Sequence, residues 1–202
     1  MKIIGIYMAA IIAVTVSTSS APADISSINK EVGTYKVIEI SSGIETKGKI
    51  ESKKQFKEVE IPAGYDNSFK AYMDYRCITD TESKQYKMQQ QAYTDKNGIR
   101  KIGDYYCVAM GSGICSELGK KYEVELENGS VIKVIQADQK ADCHTDSSNR
   151  FIELGDGKIN IVEFIVSTEH LPSMVRIMGN LEHTPSDIFK GQIVKMREVV
   201  DL

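Results

Sequence analysis

The stretch Lys120–Asp138, "KKYEVELENGSVIKVIQAD", contains the clearest secondary-structure pattern in the chain. Polar and apolar residues alternate over Tyr122–Leu126, as in a strand with one buried face. The Asn128-Gly129 pair that follows is typical of the type I′ turn, which joins two antiparallel strands. Val131–Ile135 is apolar enough to form the returning strand. The stretch therefore predicts a β-hairpin that ends close to Asp138.

Short strand and turn patterns continue on both sides of this hairpin. We predict a turn at Asp95–Gly98, strands at Tyr105–Met110, Ile159–Val166 and Gly191–Val200, and one short helix at most within Ser173–Thr184. Many short strands, frequent turns and little helix indicate an all-β barrel.

Length and composition limit the classes of protein to consider. The 202 residues suit one domain with an appendage. The apolar fraction of 42% and the charged fraction of 26% are ordinary for a soluble globular protein. The net charge of -3 provides no bulk attraction to nucleic acid, so we expect no nucleic-acid partner.

The first residues, "MKIIGIYMAAIIAVTVSTSSAPAD", have the pattern of a secretory signal peptide. Lys2 precedes an apolar run over Ile3–Val16, and Ala21-Pro22-Ala23 resembles a cleavage site. The apolar run of about fourteen residues is shorter than the roughly 20 that span a bilayer. We therefore predict a signal peptide over residues 1–23, with an uncleaved membrane anchor as the alternative. Either way, the working protein is expected outside the cytoplasm, with membrane contact only through this segment.

The rest of the chain divides into two parts that differ in amino-acid composition. Residues 24–60 are rich in Lys and Glu and predict a lead-in or linker with short strands, such as the alternation over Tyr35–Ile40. Turn-forming and aromatic residues become frequent from Ile61 onward, so residues 61–202 are the predicted barrel domain.

Four cysteines fall within the predicted domain, namely Cys77, Cys107, Cys115 and Cys143. An even number in an exported chain permits two disulfides in three connectivities, and four free thiols are the alternative. Because no two form a C-x-x-C pair, we do not expect a structural zinc site.

Four short motifs, in this order, carry a resemblance to a known group. They are Val108-Ala109-Met110, Leu118-Gly119-Lys120, Ala137-Asp138 and Ile161-Val162-Glu163-Phe164. Over about residues 105–166 the chain resembles the double-psi β-barrel group. This group includes the 3D domain, the barrel of membrane-bound lytic transglycosylase A, and the barwin-like and rare-lipoprotein-A proteins. The resemblance implies a six-stranded double-psi β-barrel-like domain.

The resemblance also implies a site and an activity. One family aspartate corresponds to Asp138 and the second falls on Glu163, although Gln139-Lys140-Ala141 replaces the family's T-G-G and the interval between the acids is longer. The implied enzyme is a secreted or cell-wall-associated lytic transglycosylase without a cofactor. It would bind peptidoglycan glycan strands and cleave their MurNAc-GlcNAc β-1,4 links.

The chemistry of that reaction suits two carboxyl groups. Cleavage of a glycosidic bond requires an acid that protonates the departing oxygen. Because a lytic transglycosylase uses the sugar's own C6 hydroxyl, one carboxyl can act as acid and then as base. We assign this role to Asp138 and expect Glu163 to tune it or to stabilise positive charge. The alternatives are a turn role for Asp138 and an outward-facing Glu163 on a half-buried strand.

The insertion after Asp138 contains three further candidates, Asp142, His144 and Asp146. They are candidate helpers of Asp138 in catalysis or sugar binding, or ligands of zinc, manganese or calcium, or residues of a solvated loop. The competing functions are therefore a non-catalytic glycan- or partner-binding barrel in cell-wall or phage-tail assembly, and a metal-dependent hydrolase.

Overall fold

The computed structural model describes residues 3–6, 37–40 and 55–200, which belong to two units. In the first unit, β1 (Ile3–Ile6) pairs antiparallel with β2 (Val37–Ile40). The predicted signal peptide and most of the lead-in otherwise lie outside the described residues. The second unit begins at Gln55, and Gln55–Val59 is a strand of its main sheet.

The second unit is mostly β-structure, which confirms the all-β prediction at this level. Its strands are β3 (Gln55–Val59), β4 (Tyr72–Asp74), β5 (Tyr93–Thr94), β6 (Arg100–Ile102), β7 (Tyr105–Met110), β8 (Lys121–Leu126), β9 (Val131–Gln139), β10 (Ile152–Gly155), β11 (Lys158–Asn160), β12 (Glu163–Val166) and β13 (Ile193–Val200). Its α-helices are α1 (Lys84–Gln91) and α2 (Ser173–Met178), and its short 3₁₀ helices are Tyr75–Cys77, Asp142–His144, Thr168–His170, Leu181–His183 and Asp187–Phe189. No helix in the described part of the chain is long and apolar enough to cross a membrane.

Nine strands form the main sheet. The pairing order is β3-β13-β8-β9-β7-β12-β4, with β6 paired to β7 and β5 to β6. Most pairs are antiparallel, but β7 pairs parallel with β9, and β12 pairs parallel with β4. Within residues 55–200, β3 and β4 are the two ends of this path and do not pair with each other, so the pairing does not close into a ring.

The predicted hairpin is present as β8 and β9, but its turn is not of type I′. Of the predicted central residues Asn128 and Gly129, only Gly129 has a positive φ (81°). A type I′ turn requires a positive φ at both. The Gly129 N–H donates to the Leu126 carbonyl, and the Leu126 N–H donates to the Ser130 carbonyl. The connection is therefore a three-residue loop in which the glycine takes the left-handed position.

The strand predicted over Ile159–Val166 is divided in two. β11 pairs with β10 in a separate two-stranded sheet, whereas β12 joins the main sheet. Ile161 and Val162, between them, are both 2% exposed. Apart from Asn160 and Glu163 the run is apolar, because its other residues are buried, and apolar content alone does not reveal the change of sheet.

Two clusters of buried side chains cover the two faces of the central strands. The larger includes Val108, Phe164 and most of the hairpin's inward residues. The smaller contains Cys107, Ile135 and Ile165, and Met88 of α1 packs against them. Both faces of β7 are therefore buried, which explains its continuous apolar sequence.

Helix α1 is not among the sequence predictions. The Ser83 side chain caps it by accepting a hydrogen bond from the Tyr86 N–H. At the other end, the Arg100 guanidinium donates to the carbonyls of Gln89 and Ala92 at 2.5 and 2.8 Å. Its sequence is rich in Gln and Lys, so its stability depends on these contacts and on Met88 rather than on an apolar stripe.

The four cysteines of the domain are all free thiols. Cys107 and Cys115 are buried, whereas Cys77 and Cys143 are exposed. Burial raises the pKa of the Cys107 thiol to about 11. The free-thiol alternative is therefore the one that the structure contains.

Candidate functional site

The sheet brings Asp138 and Glu163 to neighbouring positions, although they are far apart in sequence. β7 lies between β9 and β12, and Ala109 of β7 pairs with Asp138 on one side and with Glu163 on the other. Side chains at paired positions of adjacent strands project from the same face of a sheet. Ala109, which lies between the two carboxyl-bearing positions, is only 1% exposed. We call Asp138 and Glu163 the carboxyl pair.

A β-bulge in β9 produces this alignment. Val108 pairs with Gln136, but the next residue of β7, Ala109, pairs with Asp138. Ala137 is therefore the extra residue of the bulge and has no paired position in β7. Without the bulge, Asp138 would pair one position further along β7 and its side chain would point to the opposite face. The bulge therefore places Asp138 on the face that carries Glu163.

Asp138 occupies a partly buried position beside α1. The Gln85 side chain of α1 is hydrogen-bonded to its carboxylate, and the Gln139 N–H donates to Oδ1 at 2.8 Å. Burial is the main cause that raises the pKa of Asp138, and the nearby Glu163 carboxylate raises it further. The Gln139 and Gln85 hydrogen bonds and the Lys140 charge oppose this increase. The net result is a carboxyl that holds its proton more tightly than an exposed aspartate.

Lys140 is a member of the site that the sequence did not single out. Its ammonium forms an ion pair with Glu163 Oε2 at 2.8 Å, and its side chain is only 3% exposed. Burial lowers the pKa of Lys140, whereas the Glu163 charge favours the protonated form. Its place directly after the Asp138 strand was the available signal, but sequence alone does not reveal that this lysine is buried.

The Leu118–Lys120 loop lies against the same face. The Gly119 N–H donates to the Gln136 carbonyl at 2.8 Å, which ties the loop to the strand that carries Asp138. The Lys84 ammonium donates to the Leu118 carbonyl at 2.7 Å, which ties the loop to the start of α1. Two of the motifs that carry the resemblance are thus adjacent in space.

The three candidate helpers, Asp142, His144 and Asp146, make different contacts and do not form one cluster. Asp142 accepts a hydrogen bond from the Ser112 hydroxyl at 2.6 Å, and His144 is exposed in the same 3₁₀ helix. Asp146 instead accepts from the backbone N–H groups of its own loop, at Ser148, Arg150 and Phe151. Burial raises the pKa of Asp146, but the Ser148 hydroxyl, which also donates to this carboxylate, and the three backbone N–H groups outweigh burial and lower the pKa to about 2. Asp146 is therefore a turn-forming residue of this loop.

Metal binding at this loop has no geometric support. In the described part of the chain, no group of three or more His, Cys, Asp or Glu side chains is arranged to hold a metal ion. The loop is instead fixed by close packing on Gly111–Gly113. The Gly113 N–H donates to the Asn149 carbonyl at 2.8 Å, and a Cβ on Gly113 would lie 2.1 Å from the Ser148 carbonyl oxygen.

The geometry at the carboxyl pair suits proton transfer. The pKa of the Asp138 carboxyl is raised, and the Gln85 carboxamide is in contact with it. The Glu163 carboxylate is paired with the buried Lys140 ammonium. Comparison with known proteins adds no identity, because no family model, no curated protein and no solved structure significantly matches the chain.

Proposed function

We propose that this protein is an exported enzyme of the lytic transglycosylase type that cleaves peptidoglycan glycan strands. The observation that carries the proposal is the placement of Asp138 and Glu163 on either side of Ala109, with Lys140 paired to Glu163. Asp138 is the general acid that protonates the glycosidic oxygen, and its carboxylate then accepts the proton of the C6 hydroxyl.

The electrostatics of the site support this assignment of roles. A general acid must retain its proton near neutral pH, and burial together with a like-charged neighbour raises the pKa of a carboxyl in that direction. Both burial and the neighbouring Glu163 charge raise the pKa of Asp138. The Glu163 carboxylate is ion-paired with Lys140, and its negative charge favours protonated Asp138 and stabilises a developing oxocarbenium ion.

We also propose that the sheet is an elaborated form of the double-psi β-barrel. Support comes from the two parallel pairs, β7 with β9 and β12 with β4, which lie among antiparallel neighbours. The strands that carry the motifs of the resemblance are central in the pairing order. The remaining strands, including β3 and β13, would then be additions to a six-stranded barrel.

Digestion of purified peptidoglycan tests the proposed reaction. The wild-type protein is expected to release 1,6-anhydro-muropeptides, which mass spectrometry identifies. Asp138→Asn keeps the shape of the side chain but removes the acid, so the rate should fall by about 10²- to 10⁴-fold. Asp156→Asn, in the exposed turn between β10 and β11, is the matched control and should retain full activity.

Two outcomes would overturn the proposal. One is that folded wild-type protein releases no anhydro-muropeptides under conditions in which a known lytic enzyme does so; glycan binding without cleavage would then favour the non-catalytic barrel. The other is that Asp138→Asn remains active while a chelator abolishes activity, which would favour a metal-dependent hydrolase.

A further inference from the structure

Helix α1 turns one side towards the sheet, next to the carboxyl pair. Gln85, Met88 and Gln89 follow the i, i+3, i+4 spacing that places side chains on one side of an α-helix. Met88 and Gln89 are buried and Gln85 is half-buried. Met88 packs in the same buried cluster as Ile135 and Ala137 of β9. The inner side of α1 therefore faces the strand that carries Asp138.

The Gln85 side chain contacts the carboxylate of Asp138, the residue that follows Ala137. The Gln85 carboxamide and this carboxylate are hydrogen-bonded. Because an ionised carboxylate has no proton to donate, the Gln85 N–H group is the donor. The backbone N–H of Gln139 donates to the same carboxylate at 2.8 Å. Asp138 therefore accepts one hydrogen bond from its own strand and one from a helix.

Helix α1 is anchored on both sides of Gln85. Ser83 caps its first turn, and the Lys84 ammonium donates to the Leu118 carbonyl at 2.7 Å. At the other end, the Arg100 guanidinium donates to two backbone carbonyls. A donor on a helix held in this way is in place before charge develops on its acceptor.

The groups in contact with Asp138 act on its proton in opposite directions. Burial is the main cause that raises the pKa of Asp138, and the Glu163 charge raises it further. The hydrogen bonds from Gln139 and Gln85 and the charge of Lys140 lower this pKa. Burial and Glu163 therefore keep the proton on Asp138, whereas Gln85 favours the carboxylate that remains once the proton has left.

The other titratable groups on the elements around Asp138 are neutral or already paired. On β7, the Cys107 thiol is neutral because burial raises its pKa to about 11. On α1, Lys84 and Lys87 are exposed and donate to backbone carbonyls. On the neighbouring loop, Lys120 forms an ion pair with Glu117. From α1, Asp138 thus receives a hydrogen bond from a neutral carboxamide.

We infer that Gln85 is a positioning residue for the proposed reaction, because its N–H group orients the Asp138 carboxyl and stabilises the carboxylate that forms during proton transfer. In that step the O–H bond of Asp138 breaks as a new O–H bond forms on the glycosidic oxygen. The negative charge left on Asp138 is then stabilised by the N–H groups of Gln85 and Gln139. The inference rests on the proposed function, because it takes Asp138 as the general acid.

Gln85→Met tests this role, since it keeps the length of the side chain and suits a helix but removes the N–H donor. The pKa of Asp138 should rise, because its carboxylate loses a hydrogen bond. The alkaline limb of the rate profile should move to higher pH, and kcat should fall about tenfold with KM unchanged. Carboxyl NMR titration of Asp138 and the kinetics of anhydro-muropeptide release measure these changes.

A second variant and a matched control accompany this test. Gln85→Glu keeps the shape of the side chain but places another carboxylate beside Asp138, so the pKa of Asp138 should rise further than in Gln85→Met. Gln90→Met makes the same change as Gln85→Met at an exposed position of the same helix. It should leave the titration and the rate profile unchanged. Thermal unfolding identifies the variants that are folded.

The inference is overturned if the pKa of Asp138 in the folded Gln85 variants is unchanged or lowered. A loss of rate at every pH, without a change in this titration, would also overturn it, because Gln85 would then have only a structural role. Failure of the proposed function has a different signature. In that case, wild-type protein would release no anhydro-muropeptides, although the titration of Asp138 responds to the Gln85 substitutions.

Discussion

At the scale of single residues, the carboxyl pair is governed by three charges within one small region. Burial is the main cause that raises the pKa of Asp138; the Glu163 charge raises it further, whereas the Lys140 charge lowers it, and Lys140 and Glu163 form an ion pair at 2.8 Å. Because Lys140 is buried, a substitution that removes the charge of either member of this ion pair changes the electrostatic potential at Asp138. The protonation of Asp138 therefore depends on both neighbours.

Glu163→Gln should lower the pKa of Asp138. The substitution removes the like charge that favours protonated Asp138, and the Lys140 ammonium loses its counter-charge. The alkaline limb of the rate profile should then move to lower pH, because the acid loses its proton earlier. Carboxyl NMR titration of Asp138 and the pH dependence of anhydro-muropeptide release both measure this shift. Glu153→Gln, on exposed β10, should leave both unchanged, and an upward shift in Glu163→Gln would contradict the assignment.

Asp146→Ala should destabilise the protein by about 2 kcal/mol at pH 7, because three backbone N–H groups lose a charged acceptor. The pKa of Asp146 is lowered from 3.8 to about 2 in the folded state. Its contribution is therefore complete above about pH 4 and is lost as the pH falls towards 2. Urea unfolding of wild type and variant should show the difference at pH 7 and little difference near pH 2. Ser147→Ala is the neighbouring control, and an equal gap at both pH values would contradict the prediction.

At the scale of elements, local patterns predicted the hairpin well and missed α1. The alternation over Tyr122–Leu126 and the following Asn-Gly pair determine β8 and its turn through interactions between neighbours in sequence. Helix α1 lacks an apolar stripe and is held by the distant Arg100. Ser83 at its N-terminus was the one local signal for it. Contacts of this kind cannot be read from a window of sequence.

Arg100→Met should destabilise the domain by about 2 kcal/mol and release the C-terminal end of α1. The variant keeps the aliphatic stem but loses hydrogen bonds to two helix carbonyls and the contact with the Tyr75 ring. Hydrogen exchange should become faster at the amides of Lys84–Gln91, whereas those of β8 should follow only the global change. Lys96→Met, at the exposed position of the Asp95–Gly98 turn, is the control. Unchanged exchange in α1 would show that other contacts hold the helix.

At the scale of the whole molecule, the candidate site depends on pairings between distant segments. Asp138 and Glu163 were predicted from sequence as a pair, but their common face depends on parallel pairing of β7 with β9 and on the bulge at Ala137. Neither feature has a local signature, because register between distant strands is set by the packing of the complete sheet. The burial of Lys140 has the same origin.

Lys70 links distant segments in a comparable way and gives the molecule a measurable pH dependence. It is 1% exposed, and its ammonium donates to the carbonyls of Ser68 and Gly191. Burial lowers its pKa from 10.5 to about 8. The unfolded chain therefore binds more protons than the folded protein between these values, so this residue's contribution to stability increases as the pH rises from about 8 to 10.5.

Lys70→Met should abolish that contribution. The difference in unfolding free energy between wild type and variant, measured by urea denaturation at intervals from pH 7 to pH 10.5, should shift in favour of wild type above about pH 8. Lys190→Met, an exposed lysine of the neighbouring segment, is the control and should show no such trend. A constant difference across this range would mean that Lys70 titrates alike in the folded and unfolded chain.

The position of β13 between β3 and β8 has a consequence for how the chain matures. β3 is the first strand of this unit and β13 the last, and every sheet partner of β3 lies in Met196–Val200. During synthesis, β3 therefore has no partner in the main sheet until Met196–Val200 has left the ribosome, and the outer edge of β8 is also uncovered until then. The main sheet is therefore completed only after its most C-terminal strand has been synthesised, and pairing between segments this distant in sequence slows folding.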